Sequence, residues 1–527
     1  MPDLLRTPLF SRHQALGAKF IPFGGWEMPL SYPDGIVREH LATRGGAGLF
    51  DISHMGRFLI SGSGALRFLQ HVLTNHAEAL EIERYQGQYT FLPTETGGAV
   101  DDAYLYRLGE EEYLLVVNAA TREKDREHLL RYLPRFPETS LTDATRELAM
   151  FALQGPGSRE LLKGAITSGR LPEPLRNEMS TVVIEGAPVR LSRTGYTGEP
   201  VCFEMFLDAR AAETVWDRLL AGGASPAGLG ARYTLRLEAG LPLYGHELGA
   251  DPEGREIPIF ALPLAKTAVS LSPRKGAYVG REPLARQQAA FARIFYRDYS
   301  LRADLPRLLQ PVALLGDGVA RAGNRVYRGE KQVGWITSGT RVPFWVWEGE
   351  GLASRRTGEH RLRSIALAYV DSDLVWDDRV TVEVRGKLLE AVIVEYHLRS
   401  DAPPEARPVL VHCLPAGPPL PPKGDPRALC LRHLRRTVEN ASWRQRECVN
   451  LIPSEMTASP AARLASIADP AFRYAEHKEV EAFCDAEVYY YQGTDFIREV
   501  EALLARELAG FLGAREVETR VVSGQMA

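Results

Sequence analysis

The chain has 527 residues, 45% hydrophobic and 25% charged, with a formal charge of −4. That balance fits about three or four globular domains and gives no bulk field to recruit nucleic acid or a membrane surface. No apolar run approaches the ~18 residues of a membrane span, and the N-terminal text "MPDLLRTPLFSRHQ" lacks the apolar core of a secretory leader.

In chain order, "SGALRFLQHVLTN" has helical spacing after a Ser-Gly turn. "YTFLPTETGGAVDDAYLYRL" predicts a hairpin closed by Thr96, Gly97 and Gly98. A buried strand, Tyr113 to Val117, runs into a polar helix, and "TVVIEGAPVRLSRTGYTG" predicts two short strands. "ARAAETVWDRLLAGG" is an amphipathic helix, and another begins near Gly228 and Gly230. Strands and helices mix without strict alternation, so this is an α+β body. From about Arg293 to Arg399, short strands with Gly and Asp turns predict a small antiparallel barrel. The charged stretch "VWEGEGLASRRTGEHRLR" is expected to be a surface loop within it. A proline-dense linker follows, and from Arg427 to Ala527 the text is mostly helical. The cysteines Cys202, Cys413, Cys430, Cys448 and Cys484 form no C-x-x-C pair. A zinc site is therefore not expected, and a reducing cytoplasm is the simplest location.

Asp101 and Asp102 pose the first chemical question. Successive strand side chains point to opposite faces, so one carboxylate can meet water while the other faces what lies beneath. A buried carboxylate needs a partner or a ligand. "FGGWEMP", "LFDISHMG", "SRTGYTGE" and "PAGLGARYTLRLEAGLPLYG" each join glycines, aromatics and sparse polar groups. Glycines admit close approach to a flat ligand, and the mixture is that of a small-molecule pocket.

These strings, with "TPLFSRHQALGAKFIPFGGWEMPL", "GGAVDDAYLY", "VVNAATREKD", "FALQGPGS", "VGRE" and "ITSG", occur in the order found in the T protein of the glycine cleavage system. The first 400 or so residues resemble that aminomethyltransferase family. The resemblance implies a three-domain, cloverleaf-like body that binds tetrahydrofolate and receives an aminomethyl group from the lipoylated H protein. It assigns 1–275 to the folate-binding α+β region in two intertwined subdomains and 276–402 to the barrel domain; proline density marks 403–426 as the linker, and 427–527 is left as a separate, serine hydroxymethyltransferase-like N-terminal fragment. By family position Asp102 is the working carboxylate and Asp101 its outward or structural partner. Tyr196 and Glu204 match folate contacts. Three residues, "PVC", stand before Phe203 where the family has two, an insertion that a strand bulge would absorb. Arg232 would anchor the folate tail or hold the acidic site together, with Tyr233 in place of the usual Asp. Tyr89, Met55, Asn118 and Tyr244 would line the walls, and Arg399 would close the channel. A non-catalytic folate-binding relative is the alternative.

The last hundred or so residues resemble the N-terminal portion of serine hydroxymethyltransferase. Glu455, Tyr490, Tyr491, Ser523, Gly524 and Gln525 match its folate-side, tyrosine-pair and phosphate-loop positions. Its Schiff-base lysine has no counterpart here, so pyridoxal phosphate is not expected to be held. A bifunctional one-carbon enzyme with its second half truncated is the remaining alternative.

Overall fold

The computed structural model describes residues 4–81, 86–173, 176–348, 355–395, 397, 426–447, 477–480, 486–489, 495–515 and 517. Two sheets build the site. A five-stranded antiparallel sheet runs in the order Gly87–Pro93, Ala99–Arg107, Glu112–Val117, Gly56–Ser61, Ser140–Asp143. Its helix-covered face packs Phe58, Leu105 and Leu115 against Phe68 and Leu69 of helix Ala65–Val72 and Leu129 of helix Arg122–Tyr132. A seven-stranded sheet is centred on Cys202–Asp208, Leu148–Gln154 and Gly48–Asp51. One of its faces packs Phe151, Phe203 and Met205 against Leu162 and Trp216 of two helices. The other faces of the two sheets meet through Phe50, Tyr106, Val116, Met150 and Phe206, joined by Ala231 and Leu235 of helix Leu229–Glu238. Each sheet is thus covered on both sides, which the alternation of its strands alone does not disclose.

The expected turn Thr94–Gly98 connects Gly87–Pro93 to Ala99–Arg107. Strands Lys19–Phe23 and Trp26–Ser31 form a hairpin whose tip, Gly24 and Gly25, has φ of +54° and +82°. A Cβ on Gly24 would stand 2.9 Å from the Ala119 Cβ. This glycine therefore lets two backbones approach each other rather than a ligand.

The predicted barrel is present and closed, with six strands between Arg307 and Ile393. Its interior holds Val312, Val326, Ile336, Ala368 and Val382. The charged stretch expected as a surface loop is instead largely strand. Lys331–Glu348 and Arg355–Asp371 form a long antiparallel ribbon, with Trp345 opposite His360 and Phe344 opposite Arg361. Its many charges reflect solvent on both faces of the outer ribbon, where Gly358 to Leu362 are all exposed, not absence of pairing.

Buried ion clusters tie the barrel to the body. Glu238 accepts from Arg44 Nε at 3.0 Å and from Arg363 Nη2 of the barrel at 2.8 Å. Arg44 also pairs with Glu199. Arg236 donates to Glu247 at 3.0 Å and to Ser338 Oγ at 2.7 Å, while Thr337 Oγ1 donates to Glu247 at 2.7 Å.

The remaining described residues form a separate unit, within Ala416–Ala527. It contains helices Pro426–Arg446 and Asp495–Leu512 and a hairpin of His477–Val480 with Ala486–Tyr489. The linker residues 403–425, Arg399, and Glu455, Tyr490, Tyr491, Ser523, Gly524 and Gln525 lie outside the described residues. Among the described residues no helix is long and apolar enough to cross a membrane.

Candidate active site

A cavity of about 510 Å³ opens between the two sheets and helix Leu229–Glu238. Its wall on the five-stranded sheet carries Tyr89 and Asp102, and the adjoining loops supply Asn118 and Met55. The opposite wall carries Tyr196 and Glu204. Arg232 comes from the helix and Tyr244 from the segment after it. Of the catalytic and folate-binding candidates of the aminomethyltransferase-like region, Asp102, Tyr196, Glu204, Arg232, Tyr89, Met55, Asn118 and Tyr244 all line this cavity, and Arg399 lies outside the described residues.

Period-two alternation separates the Asp pair, with one correction. Asp101 is not outward. It is fully buried on the helix-covered face with Ala103 and Leu105, while the half-buried Asp102 shares the cavity face with Tyr104. Asp101 is therefore shut away from water, while Asp102 is reached only through the cavity. Asp102 Oδ2 accepts from Tyr89 OH at 2.9 Å, and Oδ1 accepts from Asn118 Nδ2 at 2.8 Å. Asn118 Nδ2 also reaches Asp101 Oδ1 at 2.9 Å, so one amide bridges the pair. Burial, then the charge of Asp101, pushes the Asp102 carboxyl up to about 7. Such a group can hold or release a proton near neutrality.

Glu204 lies in the regular register of Cys202–Asp208, opposite Ser192 and Ala152. No bulge absorbs the extra residue; the loop between Ser192 and Cys202 takes it up, because a loop lengthens without breaking a ladder. Glu204 Oε2 accepts from Thr194 Oγ1 at 2.7 Å and Tyr106 OH at 3.0 Å. Oε1 receives no donor among the described residues.

The Arg232 guanidinium lies 4.6 Å from the Tyr196 ring centroid, a cation–π geometry. Its Nη1 is buried and has no hydrogen-bond partner among the described residues. Burial lowers its pKa and the Glu204 charge opposes that. Tyr233 accepts from the Gly339 N–H of the barrel at 3.3 Å and stacks beneath Arg236 at 4.5 Å, so it serves as a strut where an Asp was expected. Tyr196 OH donates to the Pro242 carbonyl. Lys124 Nζ donates to Tyr244 OH and lies 4.2 Å from its ring centroid, spanning two elements at the cavity edge.

Sequence reasoning missed His54 and Arg236, which also line the cavity. Both lie inside the quoted strings "DISHMG" and "LRLEAG". Burial, then the Arg232 charge, lowers His54 to about 3, so its imidazole is neutral. Among the described residues no cluster of three or more His, Cys, Asp or Glu could hold a metal.

Comparison with known proteins agrees with this architecture. Residues 9–257 match the GCVT N-terminal domain. Curated aminomethyltransferases from Thermus thermophilus and Deinococcus deserti are each 42% identical. The first covers 74% of this chain and 97% of its own length, the second 73% and 94%. The crystal structure of glycine cleavage system aminomethyltransferase T from Bartonella henselae superposes with a TM-score of 0.61 at 29% identity. It covers 75% of this chain and 98% of its own. With relatives matched over almost their whole length, the chain belongs to the aminomethyltransferase family.

Proposed function

We propose that this chain takes the aminomethyl group from the dihydrolipoyl arm of the glycine cleavage H protein and passes its methylene carbon to tetrahydrofolate, releasing ammonia. The relatives' activity supports the reaction class. The observation that carries the mechanism is a hydrogen-bonded carboxylate, Asp102, facing a cavity of ligand size.

In this reaction the carbon loses its bonds to sulfur and to the amine nitrogen and gains two bonds to folate nitrogens, through a cationic, iminium-like stage. Asp102 faces that charge at fixed range, stabilises it, and accepts the proton of the attacking nitrogen. Tyr89 and Asn118 hold the carboxylate in place. The site suits the substrate. Tyr196 and Tyr89 offer flat walls, and the open Oε1 of Glu204 can accept from an amino-pyrimidinone edge. The unpartnered Nη1 of Arg232 can meet an anionic tail. Met55, Asn118 and Tyr244 complete the walls, and Arg399 remains the candidate for closure. The 1–275 and 276–402 division and the cloverleaf description belong to this reading.

The test is folate-dependent ammonia release from aminomethyl-loaded H protein. Asp102→Asn should lower it by about 10²–10⁴-fold while folate still binds. Full activity in the variant would remove Asp102 from the mechanism. Tight folate binding without release from the wild-type chain would favour a non-catalytic relative.

The likeness of 427–527 to the N-terminal portion of serine hydroxymethyltransferase belongs to the same proposal: with no counterpart of that enzyme's Schiff-base lysine in these residues, they hold no pyridoxal phosphate. Incubation with the cofactor, followed by gel filtration and absorbance, should recover none with the protein. Stoichiometric retention would overturn this reading.

A further inference from the structure

A third carboxyl stands behind the Asp pair. Asp125, from the first turn of helix Arg122–Tyr132, is fully buried beside Asp101. It is the last residue of the string "VVNAATREKD", to which no role has yet fallen. The neighbouring cations are engaged elsewhere: Arg122 with Glu123 and Asp143, Lys124 with Tyr244. Three carboxyls so close and so dry cannot all ionise.

The donors assign the charge. Asp101 accepts from Asn118 N at 3.0 Å, Asn118 Nδ2 at 2.9 Å and Thr121 Oγ1 at 2.8 Å. Asp125 accepts no backbone N–H among the described residues; its partners are Asp101, through a hydrogen bond that raises Asp125 and lowers Asp101, and Thr121. Hydrogen bonds to a carboxylate favour its charged form, so the charge resides on Asp101 and the proton on Asp125. We propose that Asp101 and Asp125 are a proton-sharing pair that fixes one buried negative charge behind Asp102 and so sets the pH at which the cavity carboxylate ionises. Asp101 and Asp125 are then positioning residues. The proposal rests on Asp102 being the working group of the cavity.

The surroundings agree. Tyr89 faces Asp102 from strand Gly87–Pro93, and the charge of Asp101 acts on it from the opposite face of their shared strand. Tyr196 faces it from the loop before Cys202, with Arg232 and Arg236 acting on Tyr196. Lys124 acts on Asp125 from their shared helix. None of these cations forms an ion pair with Asp102 among the described residues. Burial, then the Asp101 charge, pushes Asp125 up to about 10. The fold keeps a proton that the unfolded chain releases above its ordinary value of 3.8. Native Asp125 binds more protons than unfolded Asp125, so this group makes stability fall as pH rises between those values. A fold that retains such a group gives up stability for it, as functional sites do.

The test uses ligand-free, full-length protein. Asp102 is read as the protonated-carboxyl band in pH-difference infrared spectra, with Asp102→Asn as the blank. Asp101→Asn removes the charge and should lower the Asp102 midpoint by about one to three pH units. Asp125→Asn keeps the charge and should leave that midpoint in place. It should also raise Tm relative to wild type, by more at about pH 8 than at about pH 5. An unmoved midpoint in Asp101→Asn would overturn the proposal. So would an Asp125→Asn protein with a shifted midpoint, or with a lowered Tm at both pH values. If Asp101→Asn does not fold, the two Asp125→Asn readouts decide. Neither measures transfer, so a failure of the transferase reading stays distinguishable.

Discussion

Two buried charged clusters lie in this molecule and are built in opposite ways. Around Glu238 the charges are paired: Arg44 and Arg363 converge on one carboxylate, Glu199 takes the other side of Arg44, and His40, whose pKa burial lowers, adds a polar contact. Around Asp102 no cation pairs with the carboxyls among the described residues, and their partners are Tyr89, Asn118 and Thr121. The first arrangement drives Glu238 far below the ordinary carboxylate range despite its burial, with Arg44 the largest opposing cause. The second raises Asp102 to about 7. Glu238, the more buried of the two, is the one that stays ionised, so the presence of a cation and not the degree of burial decides the charge. A paired cluster fastens elements together; an unpaired one keeps a proton available.

Breaking the paired cluster should have the largest effect on stability. Glu238→Ala removes the buried carboxylate that Arg44 and Arg363 share, leaving Arg44 with Glu199, and should lower unfolding free energy by about 3–5 kcal/mol, measured by urea unfolding. A loss under about 1 kcal/mol would mean that water or rearrangement compensates the cations. The pH dependence sharpens the contrast. Because the folded pKa of Glu238 is depressed, its contribution is present above the ordinary value of 4.5 and is lost as pH falls towards the folded value. The deficit of Glu238→Gln should therefore be level near neutrality and shrink in acid, opposite in sign to the trend from Asp125. Thr337→Val removes a single donor to Glu247 and should cost about 1.5–3 kcal/mol. The weakest effect belongs to a surface pair. Arg6, 59% exposed, meets Glu27 at 2.9 Å, and Arg6→Ala should change stability by less than about 1 kcal/mol. A larger drop there would show that exposure does not separate these pairs as argued.

The sequence disclosed the unpaired cluster far better than the paired one. Asp101 and Asp102 are adjacent, and strand alternation alone splits them between two faces. The surprise is only that both faces are covered, a property of neighbouring helices that the strand does not encode. Arg44 and Glu238 lie 194 residues apart, and neither stands out in its own helix. A contact of that range leaves no local signature. The ribbon Lys331–Glu348 with Arg355–Asp371 escapes sequence reading because its charge density imitates a loop, whereas its pairing depends on a distant partner strand. The extra residue before Glu204 is visible in the sequence, but its accommodation is settled by the loop, since the ladder there is unbroken.

That same ribbon has a consequence for colloidal behaviour. Barrel closure removes most free strand edges. In the outer half of the ribbon, Phe344 and Trp345 pair only with Arg361 and His360 among the described residues, which leaves two flanks open to another chain. Exposed arginine and histidine guard those flanks, as Arg361 and His360 do here. Replacing them with threonine or valine would turn a tolerated ribbon into a template for edge-to-edge association, so the loss would show first as aggregation on storage, with the cavity chemistry untouched.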